Sequence, residues 1–166
     1  APFHMTMEDC SIRQLWDQLY RKTHFDTRRK QIDAFNKTSK LKKRGISMIP
    51  TKFGIAFSVK YLNQAGCLVH LLKDGTVQIS HGGVEMGQGI HTKMTQIVAS
   101  ALKIPVKDVH AITTDTSHVA NTSASAASAT SDLNGAALLN ACDQLNNRLD
   151  VVRVKLPDAS FKEIVQ

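Results

Sequence analysis

Residues 81–93 read HGGVEMGQGIHTK. Four glycines (Gly82, Gly83, Gly87 and Gly89) sit in eight residues around Glu85, Met86 and Gln88. Glycine tolerates positive φ and lets a ligand come close to the main chain. A glycine-rich turn between a strand and a helix also brings backbone N–H groups and the positive end of the helix dipole to one place, where an anion can sit. The two common phosphate loops do not fit. Gly87 and Gly89 begin a GxGxxG pattern, but Thr92 stands at the third glycine position. Gly82 and Gly87 have the spacing of a nucleotide P-loop, but Gln88 replaces its lysine. The Gln88 amide offers one acceptor and two donors in a plane, which suits a neutral polar ligand. Glu85 would repel a phosphate, so it is expected to turn away and accept backbone N–H groups. A glycine-rich turn with no ligand is the competing reading.

A second segment has similar character. In NTSASAASATSD, residues 121–132, Ser123, Ser125, Ser128, Thr130 and Ser131 are interspersed with alanines ahead of a helix. Ser123, Ser125 or Ser128 could cap that helix. Taken together, the two segments read as two walls of one polar site. His81, His91 and Glu85 do not form an HExxH pattern, and Cys67 is the only cysteine near them. They are read as hydrogen-bonding residues at element ends, with no metal held by protein ligands.

These segments need a scaffold. Residues 11–23 read as a helix with the stripe Ile12, Leu15, Trp16 and Leu19, capped by Asp9 or Ser11. A second helix is expected over 26–37, with Asp26 as cap and Ile32 and Phe35 facing inward. From Gly45 the period changes, and ISMIP and FGIAFSV read as strands. GCLVHLL and TVQIS flank Asp74-Gly75, which predicts a hairpin with a type I′ turn. A helix is expected near 88–103, a strand over 109–114, and a last helix with the stripe Leu138, Ala141, Cys142, Leu145 and Leu149. The tail from Asp150 is weakly patterned. The tally predicts an α/β (α+β) fold: a mixed sheet with a β-hairpin and packed helices.

Composition narrows the class. The chain has 166 residues, 42% hydrophobic and 21% charged, which suits a globular domain. Three scattered cysteines (Cys10, Cys67 and Cys142) suggest neither a disulfide framework nor a cysteine metal site. The net charge of +7 is local: residues 21–44 hold ten Lys and Arg against Asp26 and Asp33. A solvated basic face is the first reading, an acidic partner surface the second and nucleic acid the last. No apolar run is long enough for a membrane span, and residues 1–10 lack a signal-peptide pattern. The expectation is an intracellular protein, or a fragment without its true start.

The order KRGISMIPTKFGIAF, LNQAG, the Asp-Gly hairpin, HGGVEMGQGIHTKM, ALKIP and NTSASAASATSDLNG resembles the molybdenum-cofactor domain of xanthine dehydrogenases and aldehyde oxidases. The likeness is weakest over residues 1–37 and the last fifteen. It implies one partial domain over 1–166, a segment of a molybdopterin-binding region. Residues 1–44 form its helical basic part and 45–150 its α/β cofactor wall. It implies a molybdenum–molybdopterin cofactor, with Met86, Gly87 and Gln88 on one wall and Ala127, Ser128 and Thr130 on the other, Ala127 being a main-chain neighbour of the metal centre. Ala126-Ala127-Ser128 is more similar to the xanthine dehydrogenase branch.

In such enzymes the general base is a glutamate in a GVGE-like motif. That motif and the substrate-gripping arginine have no match here, so no catalytic residue and no metal ligand is assigned, and the chain alone is expected to be inactive. The resemblance implies an oxidoreductase that hydroxylates purines, related heterocycles or aldehydes in purine catabolism. Iron–sulfur clusters and FAD would lie in domains outside this chain. A homodimer in the cytoplasm or the peroxisome is implied, with no nucleic-acid or membrane partner. The competing reading is a non-catalytic relative, a binding or scaffold module of the same fold.

Overall fold

The computed structural model describes residues 6–166. The chain divides into two compact units, Ala1–Phe53 and Gly54–Gln166.

The first unit holds helices α1 (Ile12–Lys22) and α2 (Phe25–Thr38). Ser11 is the N-cap of α1 but its side chain caps nothing. The N-cap of α2 is His24 in the left-handed region, not the expected Asp26, whose carboxylate accepts the Tyr20 hydroxyl at 2.5 Å. The Tyr20 and Phe25 rings stack with centroids 5.1 Å apart, and the Arg44 guanidinium lies 3.9 Å over the Phe35 ring. No residue of either helix is fully buried. The apolar stripe of α1 is largely uncovered, with Leu15 55% and Leu19 50% exposed.

Residues 46–50 and 53–59, expected as strands, form none. Their β-formers Ile49, Phe53 and Ile55 are exposed. A strand exists only where a neighbour takes up its N–H and C=O groups, so β-propensity without a partner yields an irregular extended chain.

The second unit is built on a three-stranded sheet in the order β1-β2-β3. Strand β1 (Cys67–Leu71) pairs antiparallel with β2 (Val77–His81), Val69 opposite Ile79. Strand β3 (Val109–Ala111) pairs parallel with β2, Val77 opposite Val109. The hairpin turn corrects the sequence reading. Gly75 N–H donates to Leu72 C=O, and only Gly75 has positive φ (90°), whereas a type I′ turn needs Asp74 there too. Asp74 instead accepts the Thr76 N–H and hydroxyl, a local bond that competes with the tighter turn.

Helix α3 (Ile90–Leu102) is the crossover between β2 and β3, so β2, α3 and β3 form a βαβ unit. Helix α4 runs from Thr130 to Lys155 and a short α5 spans Phe161–Ile164. The weakly patterned tail is thus helical for a further turn and more. Val77 and Ile79 of β2, Ile90, Met94, Val98 and Leu102 of α3, Val109, and Leu138 and Cys142 of α4 form the core. Each fully buried Leu- or Ile-sized side chain contributes about 1.5–3 kcal/mol. This packing fixes β2 against α3 and α4. The mixed sheet with packed helices is the predicted fold class. Among the described residues no helix is long and apolar enough to cross a membrane.

Candidate functional site

The loop 82–89 leaves the carboxyl end of β2 and enters α3, which is where open α/β sheets place their ligands. Glu85 turns onto its own main chain. Its Oε1 accepts the N–H groups of Gly87 and Gly89, both at 2.9 Å, and Oε2 accepts that of His91 at 3.4 Å. The Gly89 N–H, then those of His91 and Gly87, hold the carboxyl below its ordinary range against a smaller opposing effect of burial. Positive φ at Gly87 (93°) and Gly89 (74°) makes this wrap possible. The anion seat at the start of α3 is therefore filled from within, as the sequence reading of Glu85 expected. Gln88 braces the same loop. Its Oε1 accepts Met86 N–H at 2.6 Å and its Nε2 donates to Val84 C=O at 2.9 Å. The second Nε2 hydrogen is spare.

The second segment approaches this loop directly. Ser125 Oγ accepts Val84 N–H at 2.8 Å, and Thr122 Oγ1 donates to Gly82 C=O at 3.4 Å. Gly82 has no room for a side chain: a Cβ there would lie 2.2 Å from Thr122 Oγ1. Ala127 (φ 55°) and Ser128 (φ 52°) are both left-handed, a conformation costing an L-residue roughly 1–2 kcal/mol. Ala127 C=O is held by the Ala56 N–H at 3.1 Å. None of the three candidate serines caps α4. Its N-cap is Ala129, without a side-chain cap bond, and the Ser125 hydroxyl serves the other wall.

The two segments line one cleft of about 570 Å³. Met86, Gln88, Ala127, Ser128 and Thr130 all border it, whereas Gly87 supplies only backbone between Met86 and Gln88. Lys93, Ser125, Ala126 and Ser131 border it too. Ser125, Ala126 and Ser131 belong to the segment that the sequence reading makes the second wall, whereas Lys93 is not part of that reading. Lys93 lies in the first turn of α3, a position visible only once that helix start is fixed. Clefts of about 470 and 510 Å³ lie elsewhere on this unit, so size does not single this one out. Its lining does: hydroxyls, an amide, an ammonium and the uncapped start of a 26-residue helix.

Behind the loop lies a histidine pair. His81 Nδ1 accepts Gly83 N–H at 3.1 Å, and His81 Nε2 lies 3.0 Å from His91 Nδ1. His81 is fully buried. Burial, then the neighbouring His91, pushes its pKa down to about 4, with Glu85 opposing. Both histidines are hydrogen-bonding residues at element ends, as read from the sequence.

Residues 18–165 match the model of the molybdopterin cofactor-binding domain. The chain is 51% identical to the xanthine dehydrogenase of Emericella nidulans over 162 residues, 98% of this chain and 12% of the relative. It is 49% identical to xanthine dehydrogenase 1 of Arabidopsis thaliana over 96% of this chain, and 44% identical to the xanthine dehydrogenase/oxidase of Mus musculus over 98%, again 12% of each relative. The chain thus spans about an eighth of the curated relatives it matches. The reconstituted CO dehydrogenase of Oligotropha carboxidovorans shares the fold with a TM-score of 0.53, at 20% identity over 59% of this chain and 12% of that one. On the match over residues 18–165, the chain belongs to the molybdopterin cofactor-binding domain family.

Proposed function

We propose that this chain is a segment of a molybdenum hydroxylase of xanthine dehydrogenase type, and that residues 84–88 and 125–131 form part of the wall around its molybdopterin. The observation that carries this reading is the Ser125–Val84 hydrogen bond, which closes two polar segments onto one cleft. The donor set suits the group. Lys93, the uncapped N-terminus of α4 and the hydroxyls of Ser128, Thr130 and Ser131 favour acceptor-rich, anionic parts of a ligand. The spare Gln88 N–H adds a neutral contact to a heterocycle edge. Glu85, the carboxylate nearest this wall in sequence, is consumed by its own loop and does not oppose an anion.

When bound, the cofactor supplies the redox chemistry of the hydroxylation. The residues here bind and orient it. Ala127 and Ser128, both in the left-handed region, border the cleft, and the small Ala127 side chain leaves the main chain there accessible. None of the bordering side chains is a carboxylate able to act as general base, so proton abstraction from substrate falls to residues beyond this wall. Purine hydroxylation, electron transfer through iron–sulfur clusters to FAD, a homodimeric assembly and a cytoplasmic or peroxisomal setting are proposed for the intact enzyme. They are supported by the identity to proteins named xanthine dehydrogenases. The test is turnover: the intact enzyme oxidises xanthine faster than a simple aldehyde, and the 166-residue chain alone turns over neither. Preference for the aldehyde, or steady turnover by the segment, contradicts the proposal.

A further inference from the structure

The loop 82–89 is tied at both ends by one contact. His81 is the last residue of β2 and His91 lies in the first turn of α3, and their rings meet at 3.0 Å. The proton positions follow from the partners. Gly83 N–H can donate only to a lone pair, so His81 Nδ1 is unprotonated, and the neutral ring carries its proton on Nε2. That proton is donated to His91 Nδ1, whose own proton must then sit on Nε2. The pair has no place for another proton. A proton on His81 Nδ1 faces the Gly83 N–H, and a proton on His91 Nδ1 faces the His81 N–H. Either one breaks a bond that holds the loop.

We propose that the His81–His91 hydrogen bond is a clasp that keeps the loop 82–89 closed only while the His81 imidazole is neutral, so that acid opens the loop and releases the cofactor. The release rests on reading the cleft as part of the molybdopterin wall; the opening does not. The titratable groups facing the pair are few. Glu85 of the loop binds the His91 N–H, and Cys67 of β1 stands opposite His81 in the sheet register, its thiol pushed up by burial. Thr113 and Thr114, which line the surface beside His91, carry no titratable side chain. Among the described residues, Glu85 therefore supplies the only charge seen to favour a protonated His81, and its carboxylate is engaged by three N–H groups.

The sign follows from linkage. The closed loop holds His81 at about 4, while the opened loop returns it to the ordinary value of about 6.5. The open form binds the extra proton, so opening grows as pH falls from about 6.5 toward 4 and is constant above that window. Between pH 7.5 and 5.0 the open population rises roughly thirtyfold.

The experiment is hydrogen–deuterium exchange on the intact enzyme at pH 7.5 and 5.0, corrected for intrinsic rates, with molybdenum measured after desalting at each pH. The amides of residues 83–91 lose roughly thirtyfold in protection relative to α4, and molybdenum falls with them. In His81→Asn the side-chain oxygen still accepts Gly83 N–H but does not titrate, so the acid-induced loss shrinks. Unchanged loop protection in the wild type, or an equal loss in His81→Asn, overturns the clasp. The wild-type comparison decides alone if the variant does not fold. Loop opening with molybdenum fully retained overturns the cofactor-wall reading and leaves the clasp standing.

Discussion

The Val84 N–H donates to Ser125 Oγ across 2.8 Å, although the two residues are 41 apart in sequence. This bond joins the loop after β2 to the segment before α4. Ser125→Ala leaves the Val84 N–H without its partner and costs about 1 kcal/mol. The expected outcome is a midpoint lowered accordingly in urea unfolding, with molybdenum content reduced in the same protein. A variant as stable and as fully loaded as the wild type would show that the two segments come together without this bond.

Gly82 and Thr122 form a second junction between the same segments. A Cβ at residue 82 would lie 2.2 Å from Thr122 Oγ1 and 2.6 Å from Cγ2. Gly82→Ala is therefore expected to destabilise by about 1–3 kcal/mol, the range for overpacking a close contact. Thr122→Ala in the same chain makes room, so the double variant recovers part of the loss. Purely additive effects in a double-mutant cycle would rule out the steric explanation.

The organisation of the site was legible in sequence to an unequal degree. Glycines between a strand and a helix, and hydroxyls before another helix, marked two walls because both patterns act locally. Glu85 was read correctly for the same reason: its partners, Gly87, Gly89 and His91, are all within six residues. Part of what was missed depends on distant partners, and part on local polar contacts that an apolar pattern does not register. Ile49, Phe53 and Ile55 have the composition of strands but no neighbouring strand among the described residues. Ser125 looked like a cap until Val84 claimed it. Asp74-Gly75 signalled a tight turn, but the Asp74–Thr76 bonds favour a longer one with a single positive φ. The helical continuation past Asp150 is held partly by the Arg153–Asp150 contact at 2.7 Å, an i,i+3 pair that an apolar-stripe reading does not register.

Glu85 makes a pH-dependent contribution whose sign is fixed. Its carboxyl is held below the ordinary value by backbone N–H groups, so the folded state favours the charged form. The contribution is present above the ordinary glutamate value of about 4.3 and is lost as pH falls through the depressed one. Glu85→Gln keeps the side-chain oxygen but removes the charge. The stability difference between wild type and Glu85→Gln should be constant near neutrality and should vanish in acid. A difference that persists unchanged below pH 3 would mean that charge is not what Glu85 supplies.

Ala127 holds φ at 55°, where a methyl group is strained and glycine is not. Ala127→Gly relieves that strain at some cost in unfolded-state entropy, so its stability should equal or exceed that of the wild type by up to about 1 kcal/mol. Ala127→Val adds β-branching at a positive φ and should lower both stability and cofactor content. Thermal unfolding of the two variants reads this directly. Glycine much less stable than alanine would contradict a left-handed residue 127.

The central claim is that the loop 84–88 is a wall of the molybdopterin site, and Gln88 tests it most directly. Its amide spans Met86 N–H and Val84 C=O and lines the cleft with one spare donor. Gln88→Ala removes these bonds, each contributing about 0.5–1.5 kcal/mol. The measurement is the molybdenum-to-protein ratio of the purified intact enzyme, with iron as the internal reference and Arg148→Ala, at a separate cleft, as the control. Molybdenum that falls several-fold in Gln88→Ala, with iron unchanged and Arg148→Ala fully loaded, is the result predicted. A full molybdenum complement in Gln88→Ala would contradict it and leave Gln88 as a brace for a turn that touches no cofactor.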